Sequence, residues 1–365
     1  MDGQTLADPT GSRDASRGQG IAIDAAFSRS RSGIGTYSQR LIHELRAGPW
    51  GARVLALAPE LGASRTLWMV GQVEPELRSR RAALFHGLAN FDLPLVKPVD
   101  TRFVLTVHDL IPLEWPESVS RSYRIQFRVW LSRCLQLADA IICPTSAVAQ
   151  AVRRAFPSAS PTRVVPMGVV PARRGFREPA AQRYFLVLGS VEVRKNLSML
   201  LKAFASKKER WRQEGVELWI AGQVGFGGSP ILAEVGGLHG AGVRYLGSQE
   251  PRALASLMRG ALALCAPSLA EGFGLPPLEA MALGIPVLAS DIPAHREVLG
   301  DAAVLLPPND LDAWSSSMLR VVGDPGFFQL LGQLGATRAA EFTWARTARQ
   351  TEAVYAEVLG AGRGL

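Results

Sequence analysis

Glu271 and Glu279 stand eight residues apart around Gly272-Phe273-Gly274-Leu275-Pro276-Pro277, and no other stretch of the chain is so well suited to chemistry. Proline fits the first turn of a helix, where the N–H it lacks would have no partner, so the two prolines mark a helix start. The residues from Gly272 to Leu275 then offer backbone N–H groups at a partly positive helix N-terminus, a setting for an anion such as a nucleotide diphosphate. One carboxylate precedes this loop and the other falls about one turn into the helix, so both can face one ligand. An ionised carboxylate only accepts hydrogen bonds, and sugars have many to donate. The pattern reads as a nucleotide-sugar site.

The elements that must position it are those of an α/β protein. The 365 residues suffice for two domains at roughly 150 residues each. A hydrophobic content of 47% and a charged content of 20% are those of a globular chain. Short apolar runs alternate with amphipathic segments, which calls for parallel sheets covered on both faces. After a lead of Gly, Ser, Asp and Arg over residues 1–18, expected to be disordered, Ile21-Ala22-Ile23 opens the first strand. Val54 to Leu57, Leu84-Phe85, Phe103 to Val107, Ala140 to Cys143 and Arg163 to Pro166 follow. The polar stretch Pro171 to Pro179 reads as a linker. A second half then runs through Tyr184 to Gly189, Leu218 to Ala221, Val243 to Leu246, Ala261 to Leu264 and Ile285 to Leu288. The expected fold is two doubly wound Rossmann-like domains facing across a cleft, with ligands beyond the carboxyl ends of the strands.

The net charge of +8 and pI near 9.8 come mostly from arginine and suit an acidic partner. No aromatic RNA-binding signature accompanies them, which sets nucleic acid aside. An anionic membrane surface or a phosphorylated ligand remains. The helix from Arg121 to Arg133, with Arg121, Arg124 and Arg128 on one face among Tyr123, Phe127 and Trp130, could lie on anionic lipid or be an ordinary solvated face. Cys134, Cys143 and Cys265 are scattered and read as buried thiols in a reducing cytosol. The N-terminus has no apolar signal segment and no run is long enough to span a membrane. The expected location is therefore cytoplasmic, peripheral at most on the inner face of the cell membrane.

Other candidates have two readings each. Gly33-Ile34-Gly35 is a glycine loop approaching the cleft near acceptor or diphosphate, or a plain helix entry; the third glycine of a dinucleotide fingerprint is missing. His108-Asp109 ends an apolar strand where such sheets hold ligands, or the pair is a locally satisfied histidine and a turn cap. His86, also at a strand end, is a candidate on the acceptor side. Asp310 and Asp312 spell a metal-binding Asp-x-Asp, but their place before a helix favours N-capping, so no metal is expected.

The segment from Glu271 through Ala280-Met281-Ala282-Leu283-Gly284-Ile285-Pro286-Val287 resembles the E-x7-E signature of the family-four retaining glycosyltransferases. The resemblance extends, in the family's order, to Gly33 to Tyr37, Val107 to Leu110, Val165 to Val169, Glu192 to Asn196 and Arg296 to Ala303. It implies the two-domain GT-B fold, with the last helix crossing back to the first domain: residues 19–172 plus 344–365 as the acceptor-side domain and 173–343 as the nucleotide-sugar domain. It implies that Glu271 contacts the sugar hydroxyls, that Gly272, Phe273, Gly274 and Leu275 hold sugar and phosphate by their backbone, and that Glu279 accepts from the ribose. Arg194 and Lys195 would neutralise the diphosphate. Many relatives place an arginine where this chain has Ser190, which leaves Arg194 as the replacement cation; two solvated basic residues are the alternative. His108 would lie against the donor sugar, with Gly33 and Gly35 on the donor side, and His86 and Asp109 are the acceptor-side candidates.

The activity so implied is metal-independent, retaining transfer of a hexose, preferably mannose from GDP-mannose, with no cofactor beyond the nucleotide-sugar donor. The acceptor would be a glycan or polyprenyl-diphosphate-linked oligosaccharide in polysaccharide biosynthesis. The alternatives are another donor (UDP-glucose, a rhamnosyl or fucosyl nucleotide), a nucleotide-sugar epimerase, and a non-catalytic nucleotide-sugar-binding protein.

Overall fold

The computed structural model describes residues 20–30, 32–170 and 182–360. The expected lead of residues 1–18 and the linker from Pro171 to Pro179 lie outside the described residues. The first half is built on β1 (Gly20–Asp24), β2 (Val54–Leu57), β3 (Ala82–Gly87), β4 (Arg102–Thr106), β5 (Ala140–Cys143) and β6 (Thr162–Val164), the second on β7 (Arg183–Leu188), β8 (Val216–Ala221), β9 (Val243–Gly247), β10 (Ala263–Ala266), β11 (Val287–Ser290) and β12 (Val304–Leu306). The strand orders are β2-β1-β3-β4-β5-β6 and β12-β11-β10-β7-β8-β9. Every pairing is parallel. Helices cover both faces, which is why the central strands are largely apolar instead of alternating. In β3 all six residues are buried.

Order reverses between β1 and β3 in the first sheet and between β7 and β10 in the second. A crevice opens at such switch points beyond the carboxyl ends of the strands. In the second sheet this crevice falls between the loop after Leu188 and the loop after Ala266, the two loops that carry Lys195 and Glu271. Two strands begin two residues later than the sequence reading had them, β10 at Ala263 and β11 at Val287. Gly284, at φ +72°, and Pro286 occupy the turn before β11. The short β12 was not anticipated; three residues cut off by Pro307-Pro308 are too few to show a period.

The chain passes between the sheets along two neighbouring segments. Val169 bridges Thr343, and its N–H donates to the Phe342 carbonyl at 2.9 Å. The last helix, Trp344–Gly360, packs on the helix Gly33–Ala47 and buries Ala348, Val354, Tyr355 and Val358. Two polar contacts join the halves near the crevice. The Thr145 hydroxyl donates to the Gly272 carbonyl at 3.0 Å, and Glu297 caps the helix Ser146–Ala155 by accepting the Ser146 N–H at 2.8 and 2.9 Å.

Candidate active site

Glu271 sits in the switch-point crevice among cations. Its carboxylate accepts from Lys195 Nζ at 2.5 Å, from Arg194 Nη1 at 3.3 Å and from the Ser268 hydroxyl at 2.7 Å. Burial by itself would raise its pKa, but the charges of Lys195 and Arg194 prevail and hold it far below the usual carboxylate range. Arg194 also pairs with Glu192 at 2.7 Å and donates to the Ala270 carbonyl at 3.2 Å. Arg194 therefore braces the Glu271 loop as well as charging the crevice, and neither cation is merely solvated. Lys195 lies over Gly189, whose φ of +133° leaves its Cβ position 3.7 Å from Nζ. Ser190, in the place of the missing arginine, donates to Glu192 at 2.8 Å. A narrow recess runs from here past Pro267 and Ser268 to Pro276 and Pro277.

The loop that follows Glu271 is shaped by its glycines. A Cβ on Gly272 would overlap the His108 carbonyl oxygen, so only glycine lets the two domains' loops meet. Gly274 turns into the helix Leu275–Ala282 at φ +93°, a left-handed conformation that favours glycine. Its Cβ position lies 3.1 Å from the His295 ring. Among the described residues, the N–H groups of residues 272–275 donate to no protein acceptor, and Pro276 and Pro277 have none. Phe273 turns its ring inward, edge-on to Phe342 at 6.0 Å, and anchors the loop. Glu279 lies one turn into this helix. Burial pushes its pKa up to about 7, against the opposing charge of Arg40 on the helix Gly33–Ala47.

The first domain contributes His108 and Asp109. The His108 ring is buried, donates from Nε2 to the Leu88 carbonyl at 2.8 Å and meets Tyr37 edge-on at 4.9 Å. Burial lowers its pKa, so the ring is neutral, and it is the backbone carbonyl that abuts Gly272. Asp109 caps the following turn by accepting the Ile111 N–H at 3.1 Å. Burial raises its pKa, and Arg194 across the crevice opposes the rise. Gly33 and Gly35 form the first turn of the helix Gly33–Ala47, capped by Ser32, with Gly35 pressed against the Ser30 carbonyl. Helix entry is thus the local geometry there.

His86 is corrected. It is fully buried, with Nδ1 hydrogen-bonded to the Tyr355 hydroxyl at 2.7 Å and Nε2 to the Thr106 hydroxyl at 2.8 Å. Both ring nitrogens are occupied beneath the last helix, so His86 reaches no ligand in the cleft. Asp310 caps the helix Leu311–Gly323 by accepting the Ala313 N–H at 2.9 Å. Among the described residues no group of three or more His, Cys, Asp or Glu gathers to hold a metal. The three cysteines are buried and free, and burial pushes the Cys134 and Cys143 thiols up to about 12.

Several further residues lie in or beside the crevice. His295 donates from Nδ1 to the Ser290 carbonyl at 2.8 Å, and its buried Nε2 has no partner. At the first sheet's switch point Asp24 and Asp92 are buried together under Arg65, which is 3.5 Å from Asp24 and ion-paired to Asp92. Burial, then the Asp92 charge, raises the Asp24 pKa well above the usual range.

Two parallel Rossmann-like sheets facing across a cleft, with acids and cations at a switch point, define the GT-B class. The second half, residues 182–324, matches the family model described as "Glycosyl transferases group 1", and residues 39–173 match that of "Glycosyltransferase Family 4". The chain belongs to this family of glycosyltransferases. It is similar to O-antigen chain mannosyltransferase B of Escherichia coli, at 35% identity over 48% of this chain and 46% of that protein. It is also similar to the phosphatidyl-myo-inositol mannosyltransferase of Mycolicibacterium smegmatis, at 35% over 50% and 47%. The matched region thus spans about half the length of these curated relatives. Among solved structures, sucrose-phosphate synthase from Thermosynechococcus elongatus shares the fold with a TM-score of 0.76 at 20% identity, covering 94% of this chain and all of that one. Anabaena HepE, solved with UDP and glucose, does so with 0.68 at 17%, covering 93% of this chain and all of that one.

Proposed function

We propose that the protein is a retaining hexosyltransferase that moves mannose from GDP-mannose to a hydroxyl of a glycan or polyprenyl-diphosphate-linked acceptor, without a metal. The observation that carries this reading is Glu271, held ionised between Lys195 and Arg194 beside the open N-terminus of the helix Leu275–Ala282. That arrangement joins an acceptor for sugar hydroxyls to a cradle for a diphosphate. The mannose preference rests on the names of the relatives.

In the proposed reaction the acceptor oxygen bonds to the anomeric carbon as that carbon's bond to the phosphate oxygen breaks. The electron pair stays on the diphosphate, where Lys195, Arg194 and the N–H groups of 272–275 offset the charge. The acceptor's proton passes to the departing oxygen on the same face, so the anomeric configuration is kept and no free general base is needed. Glu279 would take the ribose hydroxyls, and the neutral His108 turn would line the sugar.

Contact with the cytoplasmic membrane surface fits the helix Arg121–Leu137. Ile125 and Val129 are 63% and 61% exposed one turn apart, beside the exposed Arg121 and Arg128. Apolar side chains among cations are what an anionic bilayer binds. No described helix is long and apolar enough to cross a membrane.

The test is a thermal-shift panel of nucleotide sugars followed by transfer of labelled mannose. The proposal expects GDP-mannose to raise the melting temperature most, and wild type but not Glu271→Ala to transfer label in the presence of a chelator. A larger shift with UDP-glucose or a deoxyhexose nucleotide would replace the donor. A new sugar nucleotide formed from donor alone would make it an epimerase, and donor binding without turnover a binding protein.

A further inference from the structure

Beneath the turn that follows Glu271, one buried acceptor faces a row of unused donors. His295 is fully buried on the helix Pro293–Leu299. Its Nδ1 bonds to the Ser290 carbonyl at 2.8 Å, and a carbonyl only accepts, so Nδ1 carries the ring proton. Burial lowers the ring's pKa, against the charge of Glu271, and keeps it neutral. Nε2 is therefore a bare lone pair, itself buried, and among the described residues no group donates to it. Buried polar atoms without a partner are uncommon and costly. The turn lies directly over this nitrogen: a Cβ on Gly274 would stand 3.1 Å from ring Cδ2 and 3.3 Å from Nε2. Among the described residues, the N–H groups of 272–275 donate to no protein acceptor. An orphan acceptor and orphan donors are thus neighbours. The ring is the fixed member, because Ser290 holds it and Arg338 pins its helix by donating to the Glu297 and Val298 carbonyls at 2.7 and 3.0 Å. The turn is the adjustable one. Phe273 anchors its start, and Gly274, at φ +93°, leaves its flanking peptides a freedom that a Cβ would remove.

We propose that His295 is a positioning residue for the diphosphate: on nucleotide binding its Nε2 accepts a backbone N–H of the turn 272–275, and this bond sets the turn's remaining N–H groups on the phosphate oxygens. The inference rests on the transferase reading above. A bond formed only with the nucleotide in place adds to its affinity. The buried lone pair then serves binding, while Nδ1 and Ser290 serve the fold.

The experiment uses the full chain with isotope-labelled histidine ring nitrogens, followed by NMR as GDP, UDP or GDP-mannose is added; all three carry the same diphosphate linkage. The His295 Nε2 signal, identified by its loss in His295→Gln, starts as that of a free lone pair and moves upfield as it accepts. Calorimetry with the same nucleotides then separates the two ends of the ring. Glutamine places an acceptor near the Nε2 position, whereas asparagine keeps a donor for Ser290 near the Nδ1 position and nothing beyond it. His295→Leu and His295→Asn weaken nucleotide binding about tenfold, and His295→Gln about threefold or less. The reverse order, with asparagine close to wild type and glutamine as weak as leucine, confines the ring to its support of Ser290 and overturns the proposal. So does an Nε2 signal that moves with GDP-mannose but with neither GDP nor UDP, which makes a sugar hydroxyl the donor. Binding of none of the nucleotides to wild type removes the transferase reading and this assignment with it. Saturable binding with an unmoved Nε2 signal removes the assignment alone.

Discussion

Two of the buried polar clusters, one in each half of this molecule, are built to opposite rules. Under the last helix, His86, Thr106, Tyr37 and Tyr355 form a neutral chain in which each link is a hydrogen bond of 2.7 to 3.1 Å. Burial pushes the His86 pKa down to about 3, so the ring carries no charge to solvate. In the crevice of the second half, Glu271, Lys195, Arg194 and Glu192 are ion-paired, and among the described residues His295 keeps an unpartnered nitrogen and the N–H groups of 272–275 find no protein acceptor. A satisfied neutral network fixes one packing. A charged cluster with donors to spare is costly in the empty protein and gains partners when a ligand arrives. Burial of polar groups alone therefore does not distinguish the two clusters; incomplete satisfaction among charged groups does.

The sharpest way to break this comparison is to remove the central acid. Glu271→Ala is expected to lower transfer by about two orders of magnitude or more, as loss of one charged contact made in the transition state does. A variant within tenfold of wild type in a labelled-sugar assay would move the chemistry elsewhere. Lys195→Ala comes next. It removes a charge-assisted contact with a diphosphate worth about 1.5–3 kcal/mol, so GDP affinity by calorimetry should fall between about tenfold and a hundredfold. Equal affinities would mean that Lys195 serves only Glu271.

The neutral cluster should answer in stability instead. Tyr355→Phe deletes the hydroxyl that meets His86 and leaves a buried nitrogen unpaired, which costs about 1–3 kcal/mol. The melting temperature should drop by several degrees while donor KM stays put. A selective change in KM for acceptor would return His86 to the functional set from which its burial removed it.

What could be read in advance divides along the same line. The E-x7-E loop was legible because its glycines, prolines and acids act within nine residues of chain, and most strands because their apolar runs stand alone. His86 and His108 both end apolar strands and look alike there. Only the partner of His86, Tyr355, separates them, and it arrives 269 residues later. Lys195 meets Glu271 across 76 residues, a pairing that the strand order creates and no spacing announces. Thr145 is a single polar residue whose partner, Gly272, comes from the other half, so nothing local distinguishes it.

Glu279 gives the smallest and most discriminating test, because it lies on the helix that follows the Glu271 loop yet behaves like a buried neutral group. Its pKa is raised by burial from the ordinary 4.5 to about 7. A raised folded-state pKa lends stability that is full below the unfolded value and is lost as pH rises through the folded one. Glu279→Gln should therefore melt a few degrees above wild type at about pH 8 and nearly with it at about pH 4.5. Ribose hydroxyls donating to this carboxyl would favour its ionised form, so donor binding would release a proton. Affinity for GDP-mannose, whose diphosphate has no proton to titrate in this range, should then rise severalfold between about pH 6 and pH 8 in wild type and stay flat in Glu279→Gln. A flat wild-type profile with the stability difference intact would leave the carboxyl buried but not at the ribose, and would move the nucleoside off the helix Leu275–Ala282 without disturbing the assignment of Glu271.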